Sequence, residues 1–203
     1  MQPRDDVPPS AYADYLRLPH LLALQQPRST PALPSQWADE HLFIVVHQAA
    51  ELMLSHALIE LDRAITPGKP DADGCPATAL RRVQLLLSSV EGQLDLLDAA
   101  LTSEAFNAFR PLLGEASGGQ SVQFAALLQQ VEAPYCGLPP SRCDAPGVAA
   151  AVNAAQDAAR SWKKRHLALV ERMIGDEVGT DGTDGVAYLR SRIDSHPGGP
   201  DTP

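Results

Sequence analysis

Between Ala77 and Leu101, the residues Leu80, Val83, Leu87, Val90, Leu94, Leu97 and Leu101 recur every three or four positions. That spacing lines one face of an α-helix, and a strand with its two-residue period would scatter it over both faces. A helix with one apolar stripe must bury it against other helices. Two more long stretches carry the same signal. In the first, 39–65, Leu42, Val45, Val46, Ala49, Leu52, Leu58 and Leu61 share a broad face, and Asp39 and Glu40 supply the negative charge that favours a helix start. The second, 149–174, is alanine-rich and ends at Gly175, a residue suited to a helix C-cap. Shorter helices are predicted over 12–25, 103–113 and 121–131. No run alternates β-branched residues, so the expectation is an all-α fold, a helical bundle.

The same pattern sets the expected domain limits. Proline and glycine in TPGKPDADGCP (66–76) and four prolines in 134–147 mark two irregular connections. A single helical domain is expected from 11 to 193, with tails at 1–10 and 194–203. Charge narrows the partners: 16 Lys+Arg against 25 Asp+Glu give a net charge of −9, the wrong sign for a nucleic-acid groove. No uncharged apolar run reaches the length of a membrane span, and MQPRDDVPPS has no apolar core of a secretory signal. Cys75, Cys136 and Cys143 are odd in number and form no C-x-x-C pair, which fits a reducing compartment and offers neither a disulfide framework nor a zinc site. A cytoplasmic protein is expected.

Four segments hold residues able to do chemistry. In HLFIVVHQAAEL, Phe43, His47 and Glu51 are spaced four apart and form a column on one helical face. His47 is either a core histidine bonded to a backbone carbonyl or a base or acceptor lining an apolar pocket. In SWKKRHLALVERMIG, Trp162, His166 and Val170 share a face, while Lys163, Lys164 and Arg165 read as a solvated one. A lone imidazole on an apolar face is either structural or an axial ligand to a metal macrocycle. In FNAFRPLLGEASGGQS, Phe106 and Arg110 are four apart. Arg110 either snorkels to solvent or meets a carboxylate, internal or from a substrate. Lastly, GDEVGTDGTDGVAYL places Thr180 and Thr183 among glycines in a loop without the lysine of a phosphate loop. Such a loop can close over a ligand.

These segments, with YADYLRLPHLLALQQP before them, resemble the tryptophan 2,3-dioxygenase family in order and spacing from Tyr12 to Ile193. The last block is the most specific, joining Trp162, His166, Arg172, Gly175, Gly179 and Thr180. The resemblance implies an all-helical homotetramer that binds haem b, active in its ferrous form, and uses O2 as co-substrate. It assigns His166 as the axial ligand of the haem iron, with Trp162 and Gly119 beside the cofactor. His47 falls on the catalytic histidine that accepts the indole N–H, and Phe43 and Phe106 on the substrate's aromatic surroundings. Arg110 falls on the carboxylate clamp, Thr180 on the loop threonine near the ammonium and carboxylate, and Tyr12 on a tyrosine that enters a neighbouring subunit's pocket.

The chain also departs from the family pattern. Phe106 stands in place of tyrosine, Gly119 in place of phenylalanine, Met53 in place of tryptophan and Ala125 in place of arginine. It is shorter than the family norm between Arg110 and His166. The expected activity is O2-dependent 2,3-dioxygenation of L-tryptophan or a close indole amino acid to an N-formylkynurenine-type product. The alternatives are a tailoring mono-oxygenase or peroxide-dependent hydroxylase on a modified tryptophan or tyrosine, and a haem-binding protein without turnover. A homo-oligomer, tetramer or dimer, is expected, with neither nucleic acid nor membrane as partner.

Overall fold

Every regular element in the computed structural model is helical; the structure describes residues 10–66 and 75–175, with 186 and 190. The helices are α1 (Ala11–Leu16), α2 (Leu18–Leu21), α3 (Pro34–Ile65), α4 (Pro76–Ala100), α5 (Ser103–Leu113), α6 (Val122–Glu132), α7 (Pro140–Cys143) and α8 (Val148–Ile174). The expected tails and most of the 66–76 connection lie outside the described residues.

The long helices fall where the periodicity puts them, and the differences have local causes. The expected helix over 12–25 is broken at Arg17, which is left-handed with φ 53°. Pro19 has no N–H to offer the Tyr15 carbonyl, so the first helix cannot continue through it. α3 starts at Pro34 instead of Asp39, with proline in the first turn, where a missing N–H costs nothing. Glu40 is therefore well inside α3. Its buried carboxylate accepts hydrogen bonds from the backbone N–H groups of Arg28 (2.8 Å) and Ser29 (2.7 Å) and from the Ser29 hydroxyl. It anchors the incoming chain, a tertiary task in place of the expected helix-start charge. The 134–147 connection contains a short turn, Pro134–Gly137, in which Tyr135 and Cys136 are left-handed, and then α7. At the far end of α8, Gly175 takes φ 57° and its N–H bonds the Glu171 carbonyl, the C-cap the glycine predicts.

α3, α4 and α8 form the body of the bundle. Contacts between Met53 and Gln93 and between Glu60 and Arg82 run in opposite order along α3 and α4, so these helices are antiparallel. Glu91–Ser161, Asp95–Arg165 and Asp98–Arg172 run in the same order, so α4 and α8 are parallel. Lys163 and Arg165, expected on a solvated face, instead tie α8 to its neighbours. Lys163 pairs with Glu132 of α6, and Arg165 bridges Asp95 (2.6 Å) and Asp98 (2.8 Å). The Arg165 and Arg172 guanidiniums hold the Asp98 carboxyl below its ordinary range.

Length and composition alone would let α3 pass for a membrane span. It packs instead against α4, α5 and α6, and its buried Glu60 meets Arg63 and Arg82, each at 3.0 Å.

The core divides into two apolar clusters. One holds Leu54, Leu61, Leu80, Val83, Leu87, Leu127, Val131 and Val152. The other holds Val46, Leu94, Leu97, Leu101, Phe109, Leu169 and Met173. The division falls between Val46 and Leu54 on α3, Val90 and Leu94 on α4, and Ala159 and Leu169 on α8. The residues in that gap include His47, Glu51, Gln93, Trp162 and His166, so the bundle is interrupted by polar side chains at one level.

A candidate haem site between two histidines

His47 sits in the middle of α3, and its Nδ1 lies 2.7 Å from the Phe43 carbonyl oxygen one turn back. A carbonyl only accepts, so Nδ1 carries the proton and Nε2 is left as a lone-pair acceptor. The structure shows the first of the two expectations for His47, the bond to a backbone carbonyl, and leaves Nε2 as the nitrogen on which the second would rest. Burial holds its pKa below the ordinary histidine value, partly opposed by the Phe43 bond and the nearby Glu51 charge. Glu51 is itself held by Gln123 of α6, whose Nε2 donates to its carboxylate at 2.7 Å.

His166 lies on α8. Burial is the first cause that lowers its pKa, to about 4, and the proximity of His47 is the second. His47 is thus close enough to disfavour protonation of His166, and burial disfavours the charged form of both. Unlike His47, His166 has no hydrogen-bond partner to either ring nitrogen among the described residues. Trp162 stacks on it, with centroids 4.7 Å apart and planes 10° apart.

α5 closes the His47 side. Thr102 caps it, its side chain accepting from Ala105 N (3.1 Å), and so sets where Phe106, Phe109 and Arg110 emerge. Phe43 lies 5.8 Å from Phe106, 5.6 Å from Phe109 and 4.0 Å from His47, measured between ring centroids. The result is an aromatic cluster against the histidine. Arg110 is half-buried in the last turn of α5.

The sequence-predicted residues are not all brought together. Phe43, His47, Phe106, Trp162 and His166 converge. Gly119 lies in an exposed turn, Gly118–Gln120, between α5 and α6. Tyr12 is on α1 and 69% exposed, away from its own chain's histidines. Thr180 lies outside the described residues. Sequence reasoning missed Phe109, Phe124, Gln93 and Gln123. Phe109 and Phe124 were visible only as apolar residues with no stated target, and nothing local marks Gln93 or Gln123, whose importance comes from the helix opposite.

The residue set fits a haem on the evidence of its donors. The half-buried His166 imidazole has nitrogens bonded to none of the described residues, His47 is near enough to affect its protonation, and the surrounding side chains are aromatic and aliphatic. Two buried side-chain atoms at this level also lack partners among the described residues, Trp162 Nε1 and Gln93 Oε1. Buried polar atoms are normally satisfied, and these two lie at the same level of the bundle as the two histidines.

The family model described as tryptophan 2,3-dioxygenase matches residues 2–132. Curated relatives extend the likeness. A tryptophan 2,3-dioxygenase of Polaromonas sp. (strain JS666 / ATCC BAA-500) is 32% identical over 91% of this chain and 83% of its own length. Those of Anaeromyxobacter dehalogenans (strain 2CP-C) and Herpetosiphon aurantiacus are each 30% identical over 90% of this chain, covering 90% and 92% of their own lengths. The Polaromonas alignment runs over 251 positions, more than the 203 residues here, so it opens gaps where the relative carries extra segments.

Proposed function

This chain belongs to the tryptophan 2,3-dioxygenase family, and from that premise we propose a haem-dependent dioxygenase acting on L-tryptophan or a close indole amino acid. The reaction adds both atoms of O2 across the indole C2–C3 bond and yields an N-formylkynurenine-type product. The observation that carries this reading is the pair of imidazoles at the level where the apolar core is interrupted, His47 fixed as one tautomer by the Phe43 carbonyl and both kept from protonation by burial.

Ferrous haem b, when bound, supplies the iron at which O2 is taken up and activated. The chain's own residues do the rest. His166, flanked by Trp162, would hold the haem iron through a ring nitrogen bonded to none of the described residues. His47, kept neutral by burial and fixed as the Nδ1–H tautomer by Phe43, accepts the substrate's indole N–H at Nε2. Phe43, Phe106 and Phe109 give the indole an apolar surface. Arg110 pairs with the α-carboxylate and Thr180 approaches the ammonium and carboxylate, so an amino acid is preferred over free indole. Holding the ring in register with the cofactor and excluding water is the protein's contribution to rate.

The same reading makes the chain a homo-oligomeric cytoplasmic enzyme with one domain over 11–193. Exposed Tyr12 and Tyr15 on α1 support an arm that enters a neighbouring subunit's pocket. The three free cysteines support a reducing compartment. One observation favours a second reading, tailoring of a modified tryptophan or tyrosine. The aromatic cluster against His47 carries no hydroxyl at Phe106, which leaves an apolar surrounding for a differently substituted ring.

The test is to purify the protein with haem supplied during expression and record the ferrous spectrum with and without L-tryptophan under O2. A histidine-ligated haem and growth of N-formylkynurenine absorbance are expected, and His166→Ala should lose the haem. Haem without product would overturn the tryptophan assignment and turn the search to substituted substrates and peroxide. Absence of any haem band would return both histidines to the core.

A further inference from the structure

Trp162 and His166 are one turn apart on α8 and lie nearly parallel, 4.7 Å between centroids. Spacing alone can produce such a pair, since Trp37 and His41 on α3 stack at 5.0 Å and 23°. Three further observations set the α8 pair apart. Phe124 of α6 presses on the Trp162 ring from a second helix, with centroids 3.9 Å apart and planes at 52°, so the indole cannot swing without displacing it. Trp162 is also the one residue, among those described, that packs against both apolar clusters, and so it spans the gap that holds the histidines. Finally, its Nε1 is buried without a partner among the described residues, so among these it is packing that sets the orientation of the indole.

A histidine that ligates a metal ordinarily has its ring plane fixed by a hydrogen bond from its second nitrogen to an acceptor. His166 has no such acceptor among the described residues, yet its imidazole must present one nitrogen at a defined angle. Resting on the haem reading above, we propose that Trp162 is a positioning residue. Its indole face, braced by Phe124, sets the ring plane of His166 in place of the acceptor. The stack occupies neither imidazole nitrogen, so one is available to the iron and the other is not drawn toward imidazolate by the group that fixes the ring. Stacking constrains tilt while permitting slight in-plane sliding, which a single directed hydrogen bond would not.

The experiment is resonance Raman spectroscopy of the haem-loaded ferrous protein, reading the iron–histidine stretch, together with the rate of haem transfer to excess apomyoglobin. Wild type, Trp162→Phe, Trp162→Ala and Phe124→Leu are compared, with far-UV circular dichroism to confirm helicity. Trp162→Phe keeps a flat face and removes only the N–H, so it should keep a single narrow band and near wild-type transfer. Trp162→Ala should broaden or split the band and speed haem transfer by about 10-fold or more, as loss of a group supporting a metal ligand does. Phe124→Leu removes the brace but leaves the indole, and should broaden the band less.

An unchanged band and transfer rate in Trp162→Ala would overturn the proposal. So would a Trp162→Phe protein that behaves like Trp162→Ala, because the effect would then belong to the N–H. Should Trp162→Ala fail to fold, an unbroadened band in Phe124→Leu would overturn it instead. A wild type with no iron–histidine band would overturn the haem reading and the positioning role together. That result is distinct from failure of the stack alone, where the wild-type band is present and survives the substitutions.

Discussion

His47 and His166 differ in what their ring nitrogens meet, and under the proposed function that difference would divide their work. The Phe43 carbonyl holds one nitrogen of His47, while neither nitrogen of His166 is so held among the described residues. His47→Ala should therefore keep haem and slow turnover, because it removes an acceptor without touching the ligand. A His47→Ala protein without haem would show the two roles to be misassigned. Acid response follows from the same pair. The pKa of His166 is lowered to about 4, so without haem the folded state disfavours the proton that the unfolded chain accepts near 6.5. Stability is then complete above about pH 6.5 and declines as the pH falls toward 4, with His47 adding in the same direction. Chemical denaturation of the haem-free protein across that range checks the sign, and rising stability on acidification would contradict the buried placement. Cys136 needs no catalytic role, since burial pushes its thiol up to about 11 and leaves it protonated at neutral pH.

The helices carry these residues, and their placement rests on cross-helix ties that have no local signature. Glu60, buried on α3, accepts from Arg63 on its own helix and from Arg82 on α4. Glu60→Gln should cost about 1 kcal/mol, because it removes the charge that two arginines face, while both arginines are about half exposed and remain solvated. A urea denaturation midpoint indistinguishable from wild type would show the tie to be idle. Element positions were largely legible. The periodicity places α4 and α8 within a residue of their observed limits and α5 at its limits, since a 3.6-residue repeat is a property of the chain itself. Arg17 and Pro34 moved two helix limits for reasons that proline chemistry could have supplied. The basic run at 163–165 was misread for a different reason: Glu132, Asp95 and Asp98, which neutralise it, are distant in sequence.

Across the whole molecule, the most conspicuous feature outside the site is the uncovered side of α3. Val45, Leu52 and Ile59, seven residues apart, are 38%, 59% and 53% exposed, a seam of the kind a second helix covers. On the homo-oligomer proposed above, replacing Leu52 and Ile59 together by Glu should leave circular dichroism unchanged and shift sedimentation toward the single chain, and an unchanged sedimentation profile would rule this face out as the contact between copies. By itself the sequence determined that the chain is helical, where its long helices run, and which family's histidines, arginine and aromatics it carries. Those properties depend on neighbours within one or two turns and on residue identity. Only the tertiary structure decided that His47 and His166 oppose each other at a break in the core. It also decided that Phe109 and Phe124 complete the walls, and that Gly119 and Tyr12 lie on the surface of their own chain. Helical periodicity says which face is buried, but which face of another helix it meets depends on packing between segments far apart in sequence.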